Sequence, residues 1–236
     1  IKSYTNASLI CWMYDSCIFG FFLRNHVDKL IFNIRHTFGS IKKESLKTIL
    51  FARFVAFLSK FATSSIFCSN ASLMQHVKIG YKNPIYIPNF IGRSNPIINA
   101  PIISDDETIY IGNISRYAPM KRQEKLIKDF LFIDDERYKL ILVGCEVNAL
   151  KKKFTKSDLR NIQFIDECTD ISSYYSNFDV FVLYSGWGES FPNVLVESVV
   201  NHVITYSTAV GAAPEILGLT YCVTPSNNVN ELQLFL

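Results

Sequence analysis

Short apolar runs alternate with helix-length amphipathic segments along nearly the whole chain. Apolar runs of about four to eight residues indicate buried strands, and longer segments with one apolar face indicate helices. We predict strands at Ala7–Tyr14, Lys29–Ile34, Ser64–Ser69, Pro84–Ile87, Thr108–Gly112, Lys139–Val143, Ile162–Ile165, Val180–Tyr184, Val203–Tyr206 and Thr220–Val223. We predict helices at Asp15–His26, Ile41–Phe61, Ala71–Ile79, Lys121–Phe130, Val147–Thr155, Ile171–Asn177, Asn193–Asn201 and Ala213–Leu217. This alternation is typical of α/β domains with parallel sheets covered by helices.

One segment, Asn89–Asp106, interrupts the alternation with prolines, a glycine and no periodic apolar face. Such a segment is typical of a linker between domains. The charge balance changes at the same place. Residues 1–100 contain 12 Lys/Arg and 3 Asp/Glu, whereas residues 101–236 contain 12 and 18. We therefore predict two domains, 1–100 and 101–236.

Composition excludes several classes of protein. With 49% apolar and 19% charged residues, the 236-residue chain can bury a core and is not of the disordered type. Its six cysteines form no CxxC pair, which favours reduced thiols in a cytoplasmic protein, and no metal-ligand spacing appears. No apolar run reaches the roughly 18–20 residues of a membrane span. Because the chain opens on Ile1 and ends in an apolar run, we expect a fragment of a longer protein.

Two glutamates, Glu189 and Glu197, are eight residues apart around a Phe-Pro-Asn turn that opens a predicted helix. Asn193 is a suitable N-cap residue, and a helix N-terminus can bind phosphate through its backbone N–H groups. Carboxylates on either side of that end could accept hydrogen bonds from sugar hydroxyls. By spacing alone, the pair could equally be two glutamates without a joint role.

A second pattern follows the predicted strand that ends at Gly112. Arg116 and Lys121 lie five residues apart on a predicted strand-to-helix loop. Two cations at such a place could bind a diphosphate. An Arg and a Lys near a helix start are also common as solvated surface charges, so the pattern alone leaves both interpretations open.

Taken together, three segments resemble the donor domain of family-4 glycosyltransferases. They are Asp179–Ser185, Glu189–Ser198 with its E-x7-E spacing, and Thr208–Ile216. The resemblance implies a GT-B fold, with two Rossmann-like domains whose parallel sheets face each other across a cleft. The N-terminal domain would be incomplete.

The resemblance also implies roles for individual residues. Glu189 would contact the donor sugar and Glu197 the ribose hydroxyls. Arg116 and Lys121 would neutralise the leaving nucleoside diphosphate. Further donor contacts are implied for Ser190, Phe191, Pro192, Asn193, Val194, Gly144 and Ile165.

The first half of the chain resembles the acceptor domain of related polysaccharide glycosyltransferases. The segments Cys11–Asp15, Phe32–Thr37 and Ile85–Ile91 have this likeness. In many relatives a His after the second of these strands is a site residue, and His36 matches it. A lone His is also often structural, so both roles stay open for His36.

The resemblance implies a retaining enzyme of cell-surface polysaccharide or lipopolysaccharide synthesis. It would transfer a hexosyl group from a UDP- or GDP-sugar to a saccharide or lipid-linked saccharide, without metal or cofactor. The alternatives are a non-catalytic nucleotide-sugar-binding protein and an epimerase or phosphorylase of the same fold. No nucleic-acid recognition motif accompanies the basic charge.

The basic first half raises the possibility of contact with the inner face of the plasma membrane. Anionic lipid attracts Lys and Arg, and Ile41–Phe61 could be a basic amphipathic helix at a membrane surface. A buried helix of an α/β domain, or an ordinary solvated basic face, would give the same pattern.

Overall fold

The computed structural model describes residues 6–39, 44–90, 108–166, 171–227 and 230–236. The chain folds into two compact units. The first unit is Ile1–Phe90 with Trp187–Phe191, and the second is Ile91–Gly186 with Pro192–Leu236. The predicted linker Asn89–Asp106 lies almost wholly outside the described residues, so the predicted domain boundary near residue 100 stays a prediction.

The first unit contains a parallel four-stranded sheet in the order β1-β2-β3-β4. Its strands are β1 Ser8–Trp12, β2 Lys29–Ile34, β3 Ser64–Phe67 and β4 Pro84–Tyr86. Its helices are α1 Met13–Leu23, α2 Leu46–Leu58 and α3 Asn70–Lys78. Phe32 of β2 pairs with Cys11 on one side and Ser65 on the other and is fully buried, so the core of this unit lies against the middle of the sheet.

The second unit contains a parallel six-stranded sheet in the order β10-β9-β8-β5-β6-β7. Its strands are β5 Ile109–Ile114, β6 Tyr138–Val143, β7 Ile162–Ile165, β8 Val180–Leu183, β9 Ile204–Thr208 and β10 Cys222–Val223. Its helices are α4 Gln123–Leu131, α5 Ser172–Tyr175, α6 Asn193–Val200 and α7 Ala213–Leu217.

Both faces of this second sheet are covered. Leu140 and Leu142 of β6 pack into one apolar cluster, and Ile141 and Val143 pack into another. Successive side chains of a strand point to opposite faces, so the uninterrupted apolar sequence of β6 fits a strand buried on both sides. The predicted α/β class with parallel sheets is confirmed for both units.

The strand order of the second sheet locates its binding edge. From β5 the chain first builds outward to β6 and β7, then returns to the other side of β5 with β8, β9 and β10. The carboxyl ends of β5 and β8 therefore flank a topological switch point. Ligands of open parallel sheets bind at such a point, because the connections on its two sides lead away in opposite directions.

Local sequence explains where the helices of the first unit begin. The Ser45 hydroxyl accepts a hydrogen bond from the Thr48 N–H, and the Ser69 hydroxyl accepts one from Ser72 N–H. These N-caps start α2 and α3. The predicted helix Ile41–Phe61 thus begins only at Leu46, and its first three predicted residues lie outside the described part of the chain.

The predicted helix Val147–Thr155 is shorter in the structure and is of the 3-10 type. Val147–Lys153 forms a 3-10 helix, in which residues three apart lie above one another. Val147 and Leu150, the two buried residues of this segment, have that spacing, so the tighter helix places both in the core. In the described part of the chain, no helix combines the length and the apolar character needed to cross a bilayer.

Candidate functional site

The loop after β5 carries the two predicted cations. Arg116 is exposed and Lys121 partly exposed. Lys121 ends a short 3-10 turn that begins at Pro119, and Arg122 then takes a left-handed conformation with φ 54°. This break explains why α4 begins at Gln123 rather than at the predicted Lys121. Lys121 therefore belongs to the loop, at the carboxyl end of the sheet.

A buried amide holds this loop in place. The Gln123 side-chain NH2 donates to the Ser115 hydroxyl and to the Arg116 carbonyl, both at 2.8 Å. Ser115 donates to the Asn113 side-chain oxygen at 3.0 Å, and the Asn113 NH2 donates to the Val182 carbonyl of β8 at 2.8 Å. The backbone carrying Arg116 is thus fixed to the switch point. Sequence reasoning missed this chain of polar residues.

The loop after β5 is also bonded to the connection after β8. The Gly186 N–H donates to the Met120 carbonyl at 2.7 Å. A side chain at Gly186 would meet Arg122, whose Cδ lies 2.5 Å from the position of a Cβ there. The residue before Lys121 is therefore joined directly to the chain that leads toward Glu189.

Gly144 lies at the carboxyl end of β6, against the same loop. Its φ is 144°, and a Cβ at this position would lie 2.3 Å from the Ser115 carbonyl oxygen. The Gly144 N–H donates to the Ile165 carbonyl at 2.9 Å. Gly144 thus lies beside the cationic loop, with Ile165 bonded to it on the next strand, and glycine is required because neighbouring backbone occupies the space of a side chain.

The start of α6 differs from the prediction. Pro192 is extended with φ −74° and ψ 100° and occupies the N-cap position, while Asn193 is the first helical residue. Asn193 is therefore not the N-cap, and no side-chain cap hydrogen bond is made. Asn193 and Val194 lie at the N-terminus of α6, which is the positive end of the helix dipole.

Glu197 of α6 is held by a residue that the sequence did not reveal. The hydroxyl of Tyr175 in α5 donates to Glu197 Oε2 at 2.9 Å. Burial, and next the Glu197 carboxylate, raise the pKa of Tyr175, so the phenol stays protonated and donates. This hydrogen bond fixes one carboxylate oxygen of Glu197.

Glu189, Ser190 and Phe191 lie in the connection between β8 and α6. They belong to the first compact unit, whereas Pro192 to Glu197 belong to the second. Glu189 and Ser190 are each 8% exposed. Within the first unit, Ser190 Oγ lies 3.1 Å from Cys68 Sγ.

His36 follows β2 in the first unit. Its Nδ1 lies 3.0 Å from the Tyr14 hydroxyl, and its Nε2 lies 3.6 Å from Glu44 Oε1. Burial lowers the pKa of His36, and the Glu44 carboxylate opposes that shift. The side chain is 19% exposed, so it is not fully buried. Among the described residues, no cluster of three or more His, Cys, Asp or Glu could hold a metal ion.

The profile of the family described as Glycosyl transferases group 1 matches residues 95–233. The chain belongs to this family. A comparison with curated proteins found no match. The matched region includes all the described strands of the second sheet, and so both sides of its switch point.

Several solved structures share the fold of this group 1 member. HepE of Anabaena in complex with UDP has 18% identity and a TM-score of 0.76 over 96% of this chain and 67% of its own. TarM of S. aureus has 18% identity and a TM-score of 0.73, with 94% and 45% covered. The lipopolysaccharide outer core galactosyltransferase WaaB has 15% identity and a TM-score of 0.67, with 92% and 62% covered. The predicted α/β, GT-B fold class is confirmed.

Proposed function

We propose that the chain is the greater part of a retaining glycosyltransferase. It transfers a sugar from a nucleotide-sugar donor to a saccharide or lipid-linked saccharide in cell-surface polysaccharide synthesis. The observation that carries the proposal is the switch point of the second sheet. There the loop with Arg116 and Lys121 is hydrogen-bonded to the connection that leads to Glu189 and α6.

The donor binds along the carboxyl edge of the second sheet. Arg116 and Lys121 contact the diphosphate, and Glu197, fixed by Tyr175, accepts from the ribose hydroxyls. Gly144 and Ile165 line the place of the base. HepE and TarM were each solved with UDP, which supports a UDP-linked sugar over the GDP-linked alternative.

Arg116, Lys121 and the α6 N-terminus stabilise the leaving diphosphate as its negative charge grows. Fixed positive groups at the place where charge develops lower the barrier without a metal ion. Glu189 accepts hydrogen bonds from the donor sugar. Ser190 to Val194 lie on the side of that sugar where the diphosphate is attached. Activity should therefore persist in EDTA.

The test is a screen of UDP- and GDP-sugars with the full-length protein, followed by two variants. Lys121→Ala and Glu189→Ala should each reduce kcat roughly a hundredfold or more, the usual loss when one group that stabilises transition-state charge is removed. Lys152→Ala and Glu136→Ala are matched controls, because both side chains are exposed and lie outside the proposed site. Unchanged turnover in Lys121→Ala would refute the diphosphate role.

Product analysis separates transfer from the alternatives. Retention requires that the anomeric configuration of the product, read by NMR coupling constants, equal that of the donor. An epimerase would change the nucleotide sugar without acceptor, and a phosphorylase would require inorganic phosphate. Binding of UDP-sugar without any product would indicate a non-catalytic protein.

The first unit supports a peripheral contact with an anionic membrane. Five apolar side chains of α2 and the turn after it are each at least 47% exposed: Leu46, Leu50, Phe54, Phe57 and Phe61. At 100° per residue they fall on one face of the helix, while Ala52, Val55, Ala56 and Leu58 face the core. The helix α2 is therefore buried on one face and exposed on the other.

Cations border this apolar face. Lys47, Arg53 and Lys60 are exposed, and α2 contains no acidic residue. Lys60 Nζ lies 3.8 Å from the centre of the Phe57 ring. Apolar side chains bordered by Lys and Arg match the boundary between acyl chains and anionic headgroups, where each cation contributes roughly 1 kcal/mol.

Co-sedimentation with vesicles tests this contact. The full-length protein should bind vesicles of mixed neutral and anionic lipid, and much less those of neutral lipid alone. Phe54→Ser/Phe57→Ser should abolish binding. Phe132→Ser is the matched control, because Phe132 is 79% exposed in the second unit. Retained binding in the double variant, or self-association through this face without lipid, would refute the membrane contact.

A further inference from the structure

Tyr14 lies between two histidines in the first unit. Its hydroxyl is 2.8 Å from His76 Nε2 and 3.0 Å from His36 Nδ1. Tyr14 is 6% exposed and His76 is fully buried. The three side chains therefore form a short chain of hydrogen bonds that begins in the core and ends at the partly exposed ring of His36.

At the buried end of this chain, the donor and the acceptor of each hydrogen bond can be assigned. His76 Nδ1 lies 2.8 Å from the Ser72 carbonyl oxygen, which can only accept, so Nδ1 carries a hydrogen. Burial lowers the pKa of His76 to about 4, with the Ser72 carbonyl opposing and His36 adding to the shift. The ring is neutral at pH 7, which leaves Nε2 as an acceptor for the Tyr14 hydroxyl.

That assignment determines the tautomer of His36. Tyr14 has one hydroxyl hydrogen, and it is used on His76, so the phenol oxygen can only accept from His36. His36 Nδ1 must then donate. In the neutral ring the hydrogen is on Nδ1, and Nε2 keeps its lone pair on the edge of the ring away from Tyr14.

The surroundings hold the ring of His36 in one place. The Ser72 hydroxyl donates to the His36 carbonyl at 2.5 Å. The Phe38 ring packs edge-on against His36, 5.1 Å between centres, and stacks on His76 at 4.8 Å. The carboxylate of Glu44 faces His36, with Oε1 3.6 Å from Nε2, and it also accepts a hydrogen bond from the Gly39 N–H.

We propose that Tyr14 and His76 are positioning residues that hold His36 as the Nδ1–H tautomer, so that Nε2 accepts a hydrogen bond from a sugar hydroxyl. This rests on the proposed function, since it assigns His36 to the binding of a sugar substrate. The same hydrogen bonds explain why the buried side chains of Tyr14 and His76 lie next to the partly exposed ring of His36.

Side-chain 15N NMR of histidine-labelled full-length protein tests the tautomer directly. His36, assigned by its loss in His36→Gln, should show a protonated Nδ1 and an unprotonated Nε2. Tyr14→Phe removes the acceptor for Nδ1–H, so His36 should shift to the Nε2–H tautomer that histidine prefers in water. An Nε2–H tautomer in the wild type, or no shift in Tyr14→Phe, would overturn the proposal.

Tyr81→Phe is the matched control. Tyr81 is 3% exposed and packs against the His76 ring at 5.1 Å, but its hydroxyl has no hydrogen-bond partner among the described residues. Its removal should leave the His36 tautomer unchanged. If Tyr81→Phe shifts the tautomer as much as Tyr14→Phe does, general loosening of the core is the cause and the proposal fails.

Transfer kinetics supply the second readout. Tyr14→Phe should lower transfer at least tenfold, while the Kd for UDP, which binds the second unit, stays unchanged. A changed tautomer with unchanged transfer would overturn the substrate role of His36. Absence of transfer in the wild type would instead refute the proposed function, and the NMR result would still decide whether Tyr14 sets the tautomer.

Discussion

His76 is fully buried among the rings of Tyr14, Phe38, Phe67 and Tyr81. Burial lowers its pKa to about 4, against 6.5 in the unfolded chain. Between these values the unfolded chain binds a proton that the folded chain does not. The free energy of unfolding should therefore fall as pH drops from about 6.5 towards 4, by up to on the order of 3 kcal/mol.

Urea unfolding of wild type and His76→Gln at pH 7.0 and 4.5 measures this effect. The variant is less stable at pH 7.0 but should lose less further stability at pH 4.5, because the titrating group is gone. Exposed His202, which has φ 61°, provides the control His202→Asn, since Asn tolerates that conformation. Equal losses on acidification in wild type and His76→Gln would contradict the prediction.

Individual site residues differ in how far the sequence can reveal them. Gly144 directly follows β6 and Lys121 lies in the loop after β5, so local sequence places both at the carboxyl edge of the sheet. Tyr175 and Gln123 could not be found in this way. The partner of Tyr175 is 22 residues away, and their hydrogen bond depends on how α5 packs beside α6. The Gln123 bonds depend on the left-handed turn at Arg122.

At the scale of elements, one ion pair joins the segment after β10 to α4. The Arg122 guanidinium donates to both oxygens of Glu231, at 3.1 and 3.0 Å, and the two side chains are 9% and 1% exposed. Glu231→Ala leaves a buried cation without its partner. We expect the free energy of unfolding to fall by about 3–5 kcal/mol, measured by urea unfolding.

An exposed ion pair on the same helix is the control. Lys153 and Glu124 lie 2.5 Å apart, but their side chains are 47% and 41% exposed. Water screens such a pair, so Lys153→Ala should leave the urea midpoint unchanged within error. If Glu231→Ala lowers the free energy of unfolding no more than Lys153→Ala does, the Arg122–Glu231 pair does not stabilise the segment after β10.

The sequence predicted the bounds of some strands and helices better than those of others. The predicted bounds of β2 and β7 coincide with those of the structure, and α7 also agrees. The errors occur where the conformation of a turn determines the start or the type of the following helix. The left-handed residues Arg122 and Glu146 delay α4 and precede a 3-10 helix, and nothing in the local composition signals either conformation.

At the scale of the whole molecule, the sequence predicted two parallel α/β sheets because the alternation of elements leaves few other arrangements. The order of the strands could not be predicted from this alternation. Which strand pairs with β5 is set by long-range packing, so the switch point between β5 and β8 became visible only in the structure. The resemblance to family-4 glycosyltransferases pointed to the residues there, and the strand order supplies the physical reason.

Each unit has its own apolar core, and the described residues form one cluster in the first unit and two in the second. Ligands of the two units should therefore protect different parts of the chain. We predict that UDP slows amide hydrogen exchange in the loop 115–122 and the first turn of α6, and leaves α2 unchanged. Anionic vesicles should slow exchange in α2 and leave both donor-site segments unchanged.

Two variants test whether UDP and vesicles protect separate segments. Lys121→Ala should lose protection by UDP yet keep protection by vesicles, since the cation belongs to the proposed diphosphate site and not to the proposed membrane contact. Phe54→Ser/Phe57→Ser should show the reverse. Mass spectrometry of peptic fragments resolves these segments in a single experiment on the full-length protein. If UDP protected α2 as strongly as residues 115–122, a separate donor site on the second unit would no longer explain the chain's behaviour.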